Sequence, residues 1–281
     1  MMKESRIQWV YVASLVVSGA ILVQMLLYAF QHLFRWKPLF TIFDLCMILF
    51  KHLHVPPPVA FLVINVLILY TLGTLIWLTI RHTLDTWKAQ KIVEMSEESS
   101  LTQQYREQFQ LAPRDLKIIA YDAPIAMTVG LWKPRILLST GLIEMLEPNE
   151  LKAVIEHEKC HMQHRDPLAS LLISGISKAM WYIPIFAWLA EKYPIMIELR
   201  ADKYAVTQMK QSLDLGSALL KLLKQVPKPH LISLSHASFA ETSMNVRIQH
   251  ILDPHMQLSL HWPHIRIVAS LVIIILLMGL I

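Results

Sequence analysis

The sequence predicts a mainly α-helical, multi-span membrane protein carrying an embedded α+β domain. Three observations predict it. Hydrophobic residues make up 54% of the chain and its mean hydropathy is +0.43, above what a soluble domain of this length carries. Two runs, Ile7 to Phe30 and Val59 to Ile80, hold no charged residue and are long enough to cross a bilayer at ~1.5 Å per residue. Between them and a last apolar run, charged helical segments alternate with short β-type runs. The expected organisation is an N-terminal membrane region over 1–82, a domain over 83–263 with one further apolar segment at 167–190, and a C-terminal span over 264–281.

Ile7 to Phe30 has no small-residue cleavage site behind it, which marks an anchor rather than a removed leader. Gln31 to Pro58 contains Leu39 to Phe50, too short to span and carrying Asp44. This stretch reads as a loop with an interfacial or re-entrant helix, closed by Pro56, Pro57 and Pro58. Asn65 is the most polar residue of the second span. Lys3 and Arg6 precede the first span and Arg81, Lys88 and Lys91 follow the second, so both ends of the pair are expected in the cytoplasm, although Arg35, Lys37 and Lys51 lie in the loop between. The net charge of +5 suits an anionic leaflet. Basic residues flank apolar spans rather than cluster with aromatics, so no direct contact with nucleic acid is expected. The two cysteines, Cys46 and Cys160, are poorly placed for a disulfide framework and suggest reduced thiols.

Thr83 to Glu107 reads as a polar helix leading from the membrane, followed by a strand at Leu116 to Tyr121. Ile125 to Val129 and Arg135 to Ser139, separated by Gly130 and Pro134, read as a hairpin.

The chemistry lies in EPNELKAVIEHEKCHMQHRDPL, which contains an HExxH string at 157–161. Such a string arises by chance in roughly 3% of chains of this composition, so its setting matters. Leu151, Val154, Ile155 and Glu158 keep helical spacing, Pro148 suits a first helical turn, and Glu147 and Glu150 favour the positive end of the helix dipole. On that helix His157 and His161 share a face and can present two imidazole nitrogens to one zinc ion. Glu158 stands beside them, placed to accept a proton from a water activated by the metal. Cys160 is off that face. A third ligand is needed. The metzincin pattern fails, because residue 164 is His rather than Gly and residue 167 is Pro rather than His. Glu198, in IELRADKYAV, is the best candidate, with Asp202 one turn later where it could orient a ligating histidine. The competing reading makes Glu198 and Asp202 a solvated helix face paired with Arg200 or Lys203.

Pro167 to Ala190 is apolar but holds Lys178 and Pro184. A single crossing would put His161 and Glu198 on opposite sides of the membrane, so a broken or re-entrant helical hairpin is expected, with Trp181, Tyr182 and Trp188 near the interface. The helix through Glu198 continues from Tyr204 to Met209, and Leu215 to Lys224 forms an amphipathic helix ending before Pro227. Tyr204, His236 and Arg247 are candidates for stabilising an oxyanion at the metal, with surface or packing roles as the alternative. Ile267 to Ile281 is a short last span that works with Arg266 snorkelling.

Taken in order, PIAMTVGLWKPRILLSTGLIEML, ELKAVIEHEKCHMQHRDPL, MWYIPIFAW and ELRADKYAV resemble the membrane-embedded zinc metallopeptidases of the BlaR/MecR type, whose motif order is similar to the HtpX/Ste24 class. The resemblance covers about residues 95–252, and SHASFAETSMNVRIQHIL resembles the family's closing segment. It implies a gluzincin-like domain with one Zn2+ per chain, held by His157, His161 and Glu198, with Glu158 as general base and Asp202 orienting a ligand. It also implies an edge strand in the hairpin that binds the substrate backbone by β-addition, and an active site on the cytoplasmic side. The implied partners are the bilayer and a protein or peptide substrate such as a BlaI/MecI-like repressor.

The transducers of this type carry a penicillin-binding sensor after their last span. No counterpart is expected here, which leaves a homo-oligomer or a separate sensor partner as the signalling arrangement. An HtpX-like quality-control protease is the alternative enzyme. An intramembrane site-2-type protease is disfavoured, since Glu150, Lys152, Glu156 and Lys159 make the HExxH helix too charged for lipid. A non-catalytic membrane signalling adaptor is the alternative from another class, and Glu158 argues against it.

Overall fold

The structure, a computed structural model, describes residues 4–34, 56–225, 245–251 and 263–278. The short apolar stretch at 39–50, Cys46, His236 and the end of the last apolar run lie outside the described residues. The chain divides into two compact units, one within 1–82, 172–192 and 258–281, the other within 83–171 and 193–257.

The first unit is helical. Helix α1 (Glu4–Phe34) contains an apolar stretch from Trp9 to Phe30, and α2 (Pro57–Met95) contains one from Phe61 onward. By length and composition these two can cross a membrane. Their outer faces expose Val16, Val23, Leu62, Val66 and Leu69, while Met25, Ile64 and Ile68 are buried. Asn65, the polar exception in its span, donates to the Phe61 carbonyl at 2.8 Å and to the Tyr28 hydroxyl of α1 at 3.4 Å. The amide N–H groups thereby find acceptors without water, as hydrocarbon surroundings require.

Helix α2 runs further than the sequence suggested. Residues 81–95 contain neither Pro nor Gly, so nothing stops the helix at the expected end of the span. It stops where Glu97 bridges Ile119, with the Glu98 N–H donating to the Ile118 carbonyl and the Ala120 N–H to the Ser96 carbonyl. The expected polar helix is therefore split, and its second part is α3 (Ser99–Gln108).

Strands β1 (Leu116–Ile119), β2 (Ala126–Val129) and β3 (Arg135–Ser139) form a sheet in the order β1-β3-β2. The hairpin pairs antiparallel as expected, with Met127 opposite Leu137, whereas β1 pairs parallel to β3. Gly130 turns the hairpin at φ +98, where a Cβ would also stand 2.9 Å from the Lys133 carbonyl oxygen. Strand β3 is central and buried, and β2 is an edge. Ser139 ends β3 and caps α4 (Thr140–Met145) by accepting from the Leu142 N–H.

Helix α5 (Pro148–His164) carries the HExxH string, starts on a Pro and is fixed by a reciprocal capping box between Glu147 and Glu150. Its Leu151, Val154 and Ile155 pack with Leu116, Ile118, Ile136 and Leu138 of the sheet. Helices α6 (Asp166–Ala179) and α7 (Pro184–Met209) follow, and α8 (Leu213–Gln225) packs on α5. The break at 180–183 falls inside the apolar segment 167–190, just before Pro184, where a broken hairpin was expected. Helix α9 (His264–Met278) is tied to the start of α7 by the Ile185 N–H, which donates to the Ser270 hydroxyl at 2.9 Å.

Glu150 locks α5 to α8. Buried at 5% exposure, it accepts from the Glu147 N–H at 2.8 Å, the Ser217 hydroxyl at 2.5 Å and the Lys221 ammonium at 2.7 Å. Burial works against its charge, but these donors outweigh burial and hold its pKa below the usual carboxylate value. A lowered folded pKa stabilises above the unfolded value of about 4.3 and is lost as pH falls through the folded one. Glu150→Ala should therefore cost about 1–3 kcal/mol at neutral pH, read by thermal unfolding in detergent. The gap to the parent should close below about pH 4; equal stability at pH 7 would contradict this role.

Candidate metal centre

Helix α5 presents His157 and His161 one turn apart, with ring centroids 4.7 Å from each other. Their Nε2 atoms stand 3.1 Å apart. Glu198 of α7 closes the group, with Oε2 3.4 Å from His157 Nε2 and Oε1 3.6 Å from His161 Nε2. One ligand atom from each of the three lies within 4.8 Å of the others.

Each imidazole has a carboxylate behind it. His157 Nδ1 is 2.9 Å from Asp202 Oδ1, and His161 Nδ1 is 2.7 Å from Asp166 Oδ2. A carboxylate hydrogen-bonded to Nδ1, as Asp166 is to His161, keeps the proton there and turns the Nε2 lone pair inward, while Asp202 stands within ion-pair distance of His157 Nδ1. Two such lone pairs facing each other beside a carboxylate repel unless a cation or a proton lies between them. Ligands on a tetrahedral zinc ion with bonds of about 2.0–2.1 Å stand roughly 3.3 Å apart. The observed spacings fit.

An arginine steadies each carboxylate. Arg247, from the helical segment 245–251, grips Asp202 through Nε at 2.8 Å and NH2 at 2.7 Å, and places NH1 2.9 Å from Glu198 Oε2. Arg200 donates to Asp166. The centre thus contains two His–Asp–Arg chains, one behind each histidine. Burial opposes charge throughout and is outweighed. Asp202 and Glu198 lift the His157 imidazole to about 9; Arg247 and His157 lower Asp202 to about 2; His157 and Arg247 lower Glu198 to about 2. The Arg247 guanidinium is held in its charged form by Asp202 and Glu198.

Glu158 is buried and outside the three-residue group. The Thr128 hydroxyl of edge strand β2 lies 2.8 Å from its Oε2 and 3.0 Å from its backbone oxygen. All these side chains except the buried Asp202 and the outer Arg200 border a cleft of about 620 Å³.

The structure therefore brings together His157, Glu158, His161, Glu198, Asp202 and Arg247. Asp202, at 1% exposure, is no solvated face, and Arg200 pairs with Asp166 instead. Arg247 is engaged with the two carboxylates. Tyr204 is not among the cleft residues; its hydroxyl accepts a 3.5 Å bond from Gln163. Sequence reasoning missed Asp166 and Thr128. Asp166 follows Arg165, whose left-handed φ of 52 ends α5 and folds the chain back toward His161. A carboxylate directly behind the helix end was the available signal. For Thr128 it was one hydroxyl in an otherwise apolar strand.

Asp166→Asn should weaken zinc affinity about 10- to 100-fold, read by chelator competition, with the fold retained. Unchanged affinity would show that Asp166 does not act through His161.

An inward-facing His–His–carboxylate group, an adjacent carboxylate and a neighbouring sheet edge define a metallopeptidase-type domain, here in a chain with two membrane-length helices. The chain belongs to the BlaR1 peptidase M56 family, whose model matches residues 55–251. It is similar to a protease HtpX homolog of Thermoplasma acidophilum, 43% identical over 63 residues, covering 22% of this chain and 18% of that protein. A protease HtpX homolog of Burkholderia multivorans is 29% identical over 119 residues, 40% of each chain. The chain thus matches at most 40% of the length of these curated relatives.

Proposed function

We propose that this protein is a multi-pass membrane zinc endopeptidase that hydrolyses a protein substrate, in regulated proteolysis of a transcriptional repressor of the BlaI/MecI kind. The convergence of His157, His161 and Glu198 beside the separate carboxylate of Glu158 carries the reading. A purely structural metal site closes on protein ligands and has no use for an adjacent base. Zinc, when bound there, supplies a Lewis acid that polarises a carbonyl and lowers the pKa of water.

The chain's own groups supply the rest. Glu158 takes the proton from the attacking water and returns it to the leaving amine. Thr128 engages Oε2 of Glu158, which leaves Oε1 for that transfer. Strand β2 pairs only with β3 among the described residues, so its other edge can take an extended substrate beside the cleft. The Asp–Arg pairs keep both imidazoles turned inward.

In this reading α1, the part of α2 up to about residue 80 and α9 lie in the membrane, and the 83–263 domain faces the cytoplasm. The ligands belong to one compact unit, which the chain leaves after Leu171 and re-enters at Tyr193. That supports a segment 167–190 that returns to the side it left. The HtpX names of the relatives favour a second reading, quality control of membrane proteins.

The test uses the purified protein in detergent with denatured casein and with a folded winged-helix repressor. Cleavage should stop on chelation and return when zinc is restored. Cleavage that survives chelation would overturn the reading. One cut in the repressor supports signalling, whereas cutting of casein alone supports quality control.

A further inference from the structure

We infer that the stretch of α2 beyond its apolar run binds the headgroup of an anionic phospholipid through Leu84, Trp87, Lys88 and Lys91. The inference rests on that apolar run lying in a bilayer and is independent of the peptidase chemistry.

These four residues fall at positions i, i+3, i+4 and i+7, which is one face of a helix. The opposite face is taken, since Val93 is buried against Ile119, Leu137 and Val129 of the sheet. Leu84 and Trp87 are instead 53% and 63% exposed, and both lysines are exposed. Large apolar side chains on a bare helix face gain free energy when something covers them, and nothing among the described residues covers these. Neither ammonium is within ion-pair distance of a carboxylate among the described residues, although Asp85 and Glu94 stand beside this face.

The depth fits a lipid headgroup. Leu84 lies about 6 Å and Trp87 about 10 Å beyond Ile80 along the helix axis, and the headgroup layer adds roughly 5–7 Å to each side of the hydrocarbon. Helical side chains lean toward the helix N-terminus, which here is back toward the apolar run. The Lys91 ammonium follows that lean: it lies over the Trp87 ring, 5.9 Å from its centroid and one turn nearer the run. Trp87 is thereby at the level of an aromatic belt, and the two lysines bring their charge down toward lipid phosphates. A face that is both basic and apolar complements an anionic lipid in both respects. A second copy in the same bilayer would rise parallel to the first and set the lysines of each chain against those of the other, which repels.

The full chain in detergent is titrated with phosphatidylglycerol or with phosphatidylcholine, and lipid-bound states are resolved by native mass spectrometry. Phosphatidylglycerol should bind at least about tenfold more tightly. A lysine near the membrane surface contributes about fivefold in affinity, so Lys88→Gln combined with Lys91→Gln should weaken phosphatidylglycerol about 25-fold and leave phosphatidylcholine unchanged. Lys88→Arg combined with Lys91→Arg should bind as the parent does. Lys152→Gln, at an exposed lysine of α5, should change nothing. Equal affinity for the two lipids, or phosphatidylglycerol binding that survives the Gln pair, overturns the inference. Displacement of the lipid by an equal concentration of inorganic phosphate also overturns it, because the site would then take a free anion. A dimer that Trp87→Ala dissolves would give the face to a second copy instead. A chain that stays in solution without detergent overturns the membrane reading of α2, and this inference with it.

Discussion

Glu158→Gln should bind zinc as the parent does and hydrolyse peptides more slowly by at least about 10²- to 10⁴-fold, the usual contribution of a positioned acid–base group. The substitution keeps size and hydrogen-bonding capacity, so Thr128 can still hold the side chain. What is lost is the ability to carry a proton. Glu158 is outside the three-residue metal group, so zinc content by metal analysis should remain one per chain. Turnover equal to the parent's would remove Glu158 from the chemistry. Loss of zinc in the variant would instead make it a ligand, contrary to the geometry in which its Oε2 faces Thr128.

How much of this was legible in the sequence differs by element. The two long apolar helices were readable because crossing a bilayer demands an uncharged run of fixed length. Helix α5 was readable for a different reason: its Pro, its two capping glutamates and its apolar spacing act together over a few residues. The end of α2 was not readable. It depends on Glu97 pairing with Ile119, a contact between distant parts of the chain that no local propensity encodes. The parallel pairing of β1 with β3 was hidden likewise, since the hairpin signal fixes only the β2–β3 partnership.

The same division runs through the metal centre. His157, Glu158 and His161 are set by helical periodicity alone, so spacing sufficed. Glu198 and Asp202 share the periodicity of α7, but their meeting with α5 depends on tertiary packing, and the alternative of a solvated face was excluded by the burial of Asp202 and the pairing of Arg200 with Asp166. Arg247 became a partner of that centre through a long-range pair with Asp202, whereas Asp166 reaches His161 from only five residues away and is held by the distant Arg200. Both were polar residues with several physically reasonable uses until their neighbours were known.

Glu198→Ala should purify without zinc and without activity. Two imidazoles alone do not hold zinc against a chelator, and the loss should exceed the roughly 10- to 100-fold expected when only a group behind a ligand is removed. Asp202→Asn supplies that smaller comparison, since it leaves all three ligand atoms in place. The Glu198 variant should still fold, because Arg247 keeps both of its bonds to Asp202 when its third contact is gone. Thermal unfolding of the zinc-free parent is the matched control, as bound metal stabilises the parent by mass action and its absence would otherwise pass for misfolding. Full zinc occupancy in Glu198→Ala under chelator challenge would mean that another residue completes the site. The deep depression of the Glu198 pKa, toward about 2, would then reflect only its pairing with His157 and Arg247. A zinc-free but folded Glu198→Ala, beside an Asp202→Asn that binds weakly, is the pattern that a His–His–Glu centre with a carboxylate behind each histidine requires.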